Sequence, residues 1–149
     1  MRSYTTRGGI SLNLEQQILP NLGFFARAGL ASGDVEPYEF SDIDRTIAAG
    51  LSLSGKSWGR PDDTVAIAGV INTISGNHRD YFAAGGLGIL VGDGKLPHSG
   101  NEYIVEAYYK MSICCGLSAA PGLQHINNPA YNRDRGPVWV PGFRLHVEF

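Results

Sequence analysis

The sequence predicts an all-β chain of about seven antiparallel strands, patterned as in a transmembrane β-barrel, with one long loop that contains a short helix. Three observations carry this expectation. Apolar and polar residues alternate with a period of two through most of the 149 residues, as they must where successive strand side chains point to opposite faces. Charged residues are 17% of the chain, against roughly a quarter in soluble domains, and glycine occurs 20 times. The connections also sort into short and long sets that alternate along the chain, as in a sheet whose strands run up and down.

The final strand, Val138 to Phe149, shows the alternation best. Phe143, Leu145, Val147 and Phe149 fall on one face, and Arg144, His146 and Glu148 on the other. Alone, this pattern describes either a soluble sandwich, with core against water, or a strand between lipid and a watery lumen. Composition narrows the choice. A net charge of -2 without a basic patch argues against nucleic-acid binding. No run of about 18 apolar residues suggests a membrane helix, which leaves a barrel of short strands untouched. The start at Met1 carries no signal-peptide core, so export would depend on sequence missing here. Cys114 and Cys115 are adjacent and read as two unpaired thiols, since neighbours on a strand diverge.

Taken in order, Gly9 to Gln17 sets Ile10, Leu12 and Leu14 against Ser11, Asn13 and Glu15. Pro20-Asn21 marks a tight turn, after which Phe24, Ala26, Ala28 and Leu30 oppose Phe25, Arg27 and Gly29. Asp34 to Ser41 is polar. Ile43 to Leu53 is the longest alternation, with Ile47, Ala49, Leu51 and Leu53 on one face. A Gly/Pro/Asp connection, Gly55 to Asp63, leads to a fourth strand over Thr64 to Thr73. The pattern then breaks from Ile74 to Asn101, read as one long loop. Within it Asn77 to Ala84 suits a short helix capped by Asn77 and stopped by Gly85-Gly86. A further strand at Leu87 to Val91 is possible in composition, but it would spoil the sorting of connections. Alternation resumes at Glu102, turns at Cys114-Cys115-Gly116, continues over Leu117 to Asn127, and reaches the last strand after the polar segment Asn128 to Pro137. If Phe149 lies at the periplasmic end, the turns near Pro20, Gly59 and Cys115 share that side, and the three longer connections lie outside.

Several stretches together carry a resemblance. Trp58-Gly59-Arg60-Pro61-Asp62-Asp63, His78-Arg79-Asp80-Tyr81, Ala83-Ala84-Gly85-Gly86, Gly92-Asp93-Gly94, Glu106-Ala107-Tyr108-Tyr109 and Asn128-Pro129-Ala130-Tyr131-Asn132-Arg133-Asp134-Arg135-Gly136-Pro137 resemble, in order and spacing, the C-terminal portion of carbohydrate-selective porins of the OprB type. The resemblance runs from Asn13 to Phe149. It implies a bacterial outer-membrane barrel, with residues 1–149 forming the C-terminal part of one barrel domain. It further implies passage of small, glucose-like sugars, contact with outer-membrane lipid, and recognition of Phe149 by the barrel-assembly machinery. Full members are longer and begin with a signal peptide, so the remaining strands of the parent barrel are expected partners. Ala130 stands where the family usually has glycine, and Cys114-Cys115 where a proline-containing turn is usual.

On this reading the lumen face carries Glu15, Arg27, Asp44, Glu106, Tyr108, Lys110, Gln124, Arg144, His146 and Glu148. Sugars are neutral and rich in hydroxyls, so a selective pore needs donors, acceptors and aromatic faces. Arg27, Glu106, Tyr108, Lys110 and Arg144 suit that role. Arg133, Asp134 and Arg135 suit either a constriction, with Tyr131 as a sugar platform, or an ion network that stabilises the loop. Other groupings carry less. Asp62-Asp63 lie in a turn and diverge, whereas glycoside hydrolysis needs two carboxyls facing across a cleft. Asp42 and Asp44 offer too few oxygens for a cation site. His78, His98, His125 and His146 lack ligand spacing, and Gly85-Gly86-Leu87-Gly88 lacks the strand-and-helix context of a phosphate loop. No cofactor, metal or enzymatic role is expected. The rivals are a soluble β-sandwich that binds carbohydrate and, less favoured, an enzyme built on a barrel. Purification separates them: the chain is expected to remain folded only in detergent or lipid, and a monodisperse folded species in buffer alone would overturn the membrane reading.

Overall fold

The computed structural model describes residues 5–35, 42–87 and 94–149. Seven strands form one sheet in simple sequence order, every neighbouring pair antiparallel. They are β1 (Gly9–Leu19), β2 (Leu22–Ala31), β3 (Arg45–Ser54), β4 (Thr64–Thr73), β5 (Glu102–Cys114), β6 (Leu117–Asn127) and β7 (Val138–Val147). At 10 to 13 residues, each strand is long enough to cross a bilayer obliquely. The seven expected strands are therefore present, two of them with the expected bounds. The segment considered for an extra strand lies, beyond Leu87, outside the described residues up to position 93.

The register fixes which side chains share a face. Leu12, Ala28, Ile47, Ile71 and Tyr103 form one cross-strand row, and Leu14, Ala26, Ala49, Gly69 and Val105 the next. Between them runs the row Asn13, Arg27, Ala48, Val70 and Ile104. In β3 Ile47, Ala49 and Leu51 are exposed while Thr46, Ala48 and Gly50 between them are half-buried or buried, so the polar side is the concave one. Ile10, Leu12, Ile47, Ile67, Trp139 and Phe143 stand exposed on the convex side, Ile10 by 74%. No second sheet covers this face among the described residues, which removes the sandwich alternative. Such an apolar surface is stable against lipid and costly against water.

The turns explain the sorting of connections. Leu19 pairs with Leu22 and Cys114 with Leu117, so Pro20-Asn21 and Cys115-Gly116 are two-residue hairpins. Cys115 (φ 45) and Gly116 (φ 78) both have positive φ, the geometry whose twist matches paired strands. Both cysteines are free and exposed. These tight turns and residues 55–63 lie at one end, and the longer connections at the other. Within the longest connection α1 spans Gly76–Ala83. Its cap is Ser75, whose Oγ accepts from the His78 amide at 3.1 Å, rather than Asn77 as expected from sequence. Serine suits this role as well as asparagine, and a shift of two residues is all that separates them. Gly85, at φ 98, ends the helix as expected.

The apolar core among the described residues is small. Ile74, Phe82 and Tyr131 cluster at the long-loop end, with Leu96 and Ala130 packed against them. The backbone there is strained, because Asn128 (φ 50), Ala130 (φ 58) and Tyr131 (φ 63) adopt left-handed conformations that side chains disfavour. Ala130→Gly is expected to stabilise this loop by about 0.5–1 kcal/mol, relief of strain outweighing the greater freedom of glycine when unfolded. Amide exchange of residues 129–132 should slow a few-fold; unchanged or faster exchange would contradict the assignment of strain.

Candidate functional site

The polar face of the sheet is assembled row by row. On β2, Arg27 reaches across to β1, where its Nε donates to Asn13 Oδ1 at 3.0 Å and its Nη2 to Glu15 Oε1 at 3.3 Å. On β5, Glu106 accepts from Gln124 of β6 at 2.8 Å. Arg27 also sits 5.4 Å from the centroid of the Phe25 ring. Small residues lie between these clusters: Gly50 and Ala68 occupy the row that joins Phe25 to Glu106. The result is a groove of about 790 Å³ whose lining includes Glu15, Phe25, Arg27, Ala68, Glu106 and Tyr108. A second groove of about 330 Å³ shares Glu106 and Tyr108 and adds Gln124 and Arg144. The two form one strip across the concave face.

Of the residues expected from sequence, Arg27, Glu106, Tyr108 and Arg144 thus come together along this strip. Lys110 pairs in register with Thr64, nearer the short-turn end, and lines neither groove. Three others belong elsewhere. Asp44 is 2% exposed and does not face an open lumen. It lies just before β3 and binds Arg7 Nη2 at 2.7 Å, the Ser75 amide at 2.7 Å and His78 Nδ1 at 3.0 Å. Burial alone would raise its pKa, but the bonds from Ser75 and His78 prevail and hold it below the usual carboxylate value. Tyr131 is also buried, at 3%, with its hydroxyl donating to the Asp42 carbonyl at 2.8 Å. Its ring packs against Ile74 and Phe82 and offers no open face, which corrects the expectation of a sugar platform. Burial pushes its phenol well above the ordinary range. Arg135 belongs to the same loop, where its amide donates to the Asn132 carbonyl at 3.3 Å.

These groups build a cap at the long-loop end. Thr46 Oγ1 donates to Asn72 Oδ1 at 2.9 Å, Asn72 Nδ2 donates to Glu102 at 3.0 Å, and Glu102 accepts from the Ala130 amide at 3.0 Å. Thr46, Asn72 and Glu102 are neighbours in register, in the row beyond Arg27's and on the same face. The 128–135 loop is therefore drawn over the concave side. Ser99 pairs with Asn132, the Arg133 amide donates to the His98 carbonyl at 3.0 Å, and His98 lies 3.0 Å from Asp134. A loop stitched in this way reads as a unit rather than as separate binding residues. No single motif in the sequence signals the pairing of segments so far apart.

At the opposite end Asp63, 1% exposed, ties the third connection to β5. Arg60 grips it with Nε and Nη2, Tyr109 donates its hydroxyl at 2.5 Å, and the Ser112 amide donates at 2.9 Å. Trp58 Nε1 donates to the same Tyr109 hydroxyl at 3.1 Å. The Asp62-Asp63 pair is thus turn architecture built on an Arg60 contact. Among the described residues no group of three histidine, cysteine or acidic side chains is placed to hold a metal ion.

One continuous up-and-down sheet, apolar outside and polar inside, with strands of bilayer length, is a wall of a transmembrane β-barrel of the porin type. Residues 1–149 match the family described as "Carbohydrate-selective porin, OprB family", and the chain belongs to that family of outer-membrane porins. The solved high-pH structure of OprB from Pseudomonas putida is similar in fold, with a TM-score of 0.69 at 21% identity. The match covers 86% of this chain and 30% of that one, so the chain spans less than a third of its structural relative. No curated protein sequence matches.

The Asp63 cluster carries a prediction. The Arg60 guanidinium, with the Tyr109 hydroxyl and Ser112 amide, holds the Asp63 carboxyl well below the usual carboxylate range. A depressed folded pKa contributes its full stabilisation above the unfolded value and loses it progressively as pH falls from there through the folded one. Limited proteolysis of residues 55–63 should therefore be slowest above the ordinary carboxylate range and quicken progressively below it, whereas Asp63→Asn should cleave faster at neutral pH. Equal cleavage of the two at pH 7 would contradict this role.

Proposed function

We propose that the chain forms one wall of a passive, selective diffusion pathway for small neutral sugars across the bacterial outer membrane. The observation that carries this reading is the strip shared by the two grooves, in which acids and bases are balanced: Glu15 and Glu106 against Arg27 and Arg144. An ion pathway favours a field of one sign, whereas a hydroxyl-rich neutral solute asks for donors and acceptors side by side. The Arg27–Glu15 pair is more than half exposed on both sides, so it is weak and can exchange with passing hydroxyls. Tyr108 adds an aromatic face. Lys110 extends the polar track toward the short-turn end, and the cap that includes Tyr131 and Arg135 narrows the other mouth. Passage makes and breaks no covalent bond and uses no cofactor.

Residues 1–149 act in this reading as the C-terminal part of one barrel domain. β1 and β7 are the edges of the sheet, each paired on one side among the described residues. In lipid every unpaired backbone group costs several kcal/mol, so further strands of the parent barrel complete the wall. The convex belt meets lipid, and Phe149 supplies the terminal aromatic that the assembly machinery reads.

Liposomes that hold the complete barrel test the proposal. Swelling in glucose should exceed that of protein-free vesicles, and Arg27→Ala combined with Glu106→Ala should shift half-saturation for glucose by roughly fivefold or more, the scale of one lost hydrogen bond. Sugar flux equal to that of protein-free vesicles, or conductance insensitive to sugar, would overturn it.

A further inference from the structure

Phe25 places a phenyl ring on the concave face, in the same strand and on the same side as Arg27, and the fold makes room for it. Its row runs Glu15, Phe25, Gly50, Ala68 and Glu106, so the ring stands beside an acid on β1 and reaches across two small residues toward an acid on β5. Gly50 is buried, and a β-carbon there would lie 2.5 Å from the Phe25 ring. The same atom would meet the Ile67 carbonyl at 2.8 Å and Ala68 Cβ at 2.9 Å. Glycine at this position, in extended strand backbone, is therefore explained by the close approach of the ring and not by a turn. The ring is half-buried, lines the larger groove and has the Arg27 guanidinium on it.

These features describe an amphipathic subsite. A flat apolar surface lies between an arginine paired with the Glu15 carboxylate and a floor too small to obstruct a ligand. A pyranose has the matching shape, with axial C–H groups gathered on a face and hydroxyls around its rim. A linear polyol offers the same hydroxyls without a preformed apolar face. We propose that Phe25, seated over Gly50, is the platform on which a sugar ring packs during passage, and that it makes the strip prefer cyclic sugars to open-chain polyols. This rests on the sugar-diffusion reading and adds to it the residue that sets ring specificity.

The test uses the complete barrel in liposomes and compares glucose with sorbitol. Phe25→Leu keeps apolar volume but removes the flat face, and Phe25→Trp enlarges it. The ratio of glucose to sorbitol flux should fall roughly two- to tenfold in Phe25→Leu, the range expected for losing one aromatic contact, and persist in Phe25→Trp. An unchanged ratio in Phe25→Leu overturns the inference while leaving sugar diffusion intact. A wild-type barrel that passes neither solute overturns both. If Phe25→Leu fails to fold, the Phe25→Trp barrel decides alone: its emission, referenced to the natural tryptophans, should respond to glucose and not to sorbitol. An equal response to both solutes, or none, overturns the proposal.

Discussion

The ladder of backbone hydrogen bonds between neighbouring strands is the constraint on which the rest depends. In hydrocarbon a peptide group has no water to turn to, so each strand must find its partner within the protein. Seven strands joined in sequence order satisfy this for all the interior strands and leave the demand standing at β1 and β7. Once the ladder exists, side-chain direction is no longer free. A slip of one residue would move Arg27 and Glu106 to the convex face and Ile47 and Ile67 to the concave one, so the register is held by the contrast between the two faces.

The two ends of the sheet are then finished by different means. At the short-turn end one buried carboxylate, Asp63, gathers an arginine, a tyrosine and a backbone amide. Ionised groups bonded in this way are stronger than neutral pairs and fix a turn with few residues. At the long-loop end the work is shared between Asp44, Glu102 and a small apolar cluster around Phe82. That cap is the only place where the described residues bury a group of large apolar side chains together. It behaves like a miniature core set on a wall that has none of its own.

Much of the architecture was legible in the sequence because strand alternation is a local signal of period two. Thr64–Thr73 and Leu117–Asn127 have the expected bounds for that reason. The shared, concave face of Arg27, Glu106, Tyr108 and Arg144 follows from the same parity. What escaped depends on contacts between segments far apart. Tyr131 has the composition of a sugar platform, and only its packing on Ile74, brought from another loop, shows it to be buried. Asp44 shares the parity of lumen residues, yet Arg7 and His78 converge on it from 37 and 34 positions away. Alternation put Phe25 on the same face as Arg27, but no local rule says that its ring comes close against a neighbouring strand. The signal was Gly50, a glycine inside a strand, which marks a close approach.

The sequence-ordered pairing of the sheet has a kinetic side. Each strand meets the one before it, so the contacts are as local as an antiparallel wall allows, and β5 with β6 is closed by a turn of only two residues. Such a hairpin pays little entropy to form and gives the next strand a ready template. The long excursion between β4 and β5 hardly changes this, since each doubling of a flexible loop adds only about 0.6 kcal/mol to its closure. The wall can therefore grow as a succession of hairpins, and the insertion that carries α1 and the cap can be accommodated without delaying the pairing of the strands on either side of it.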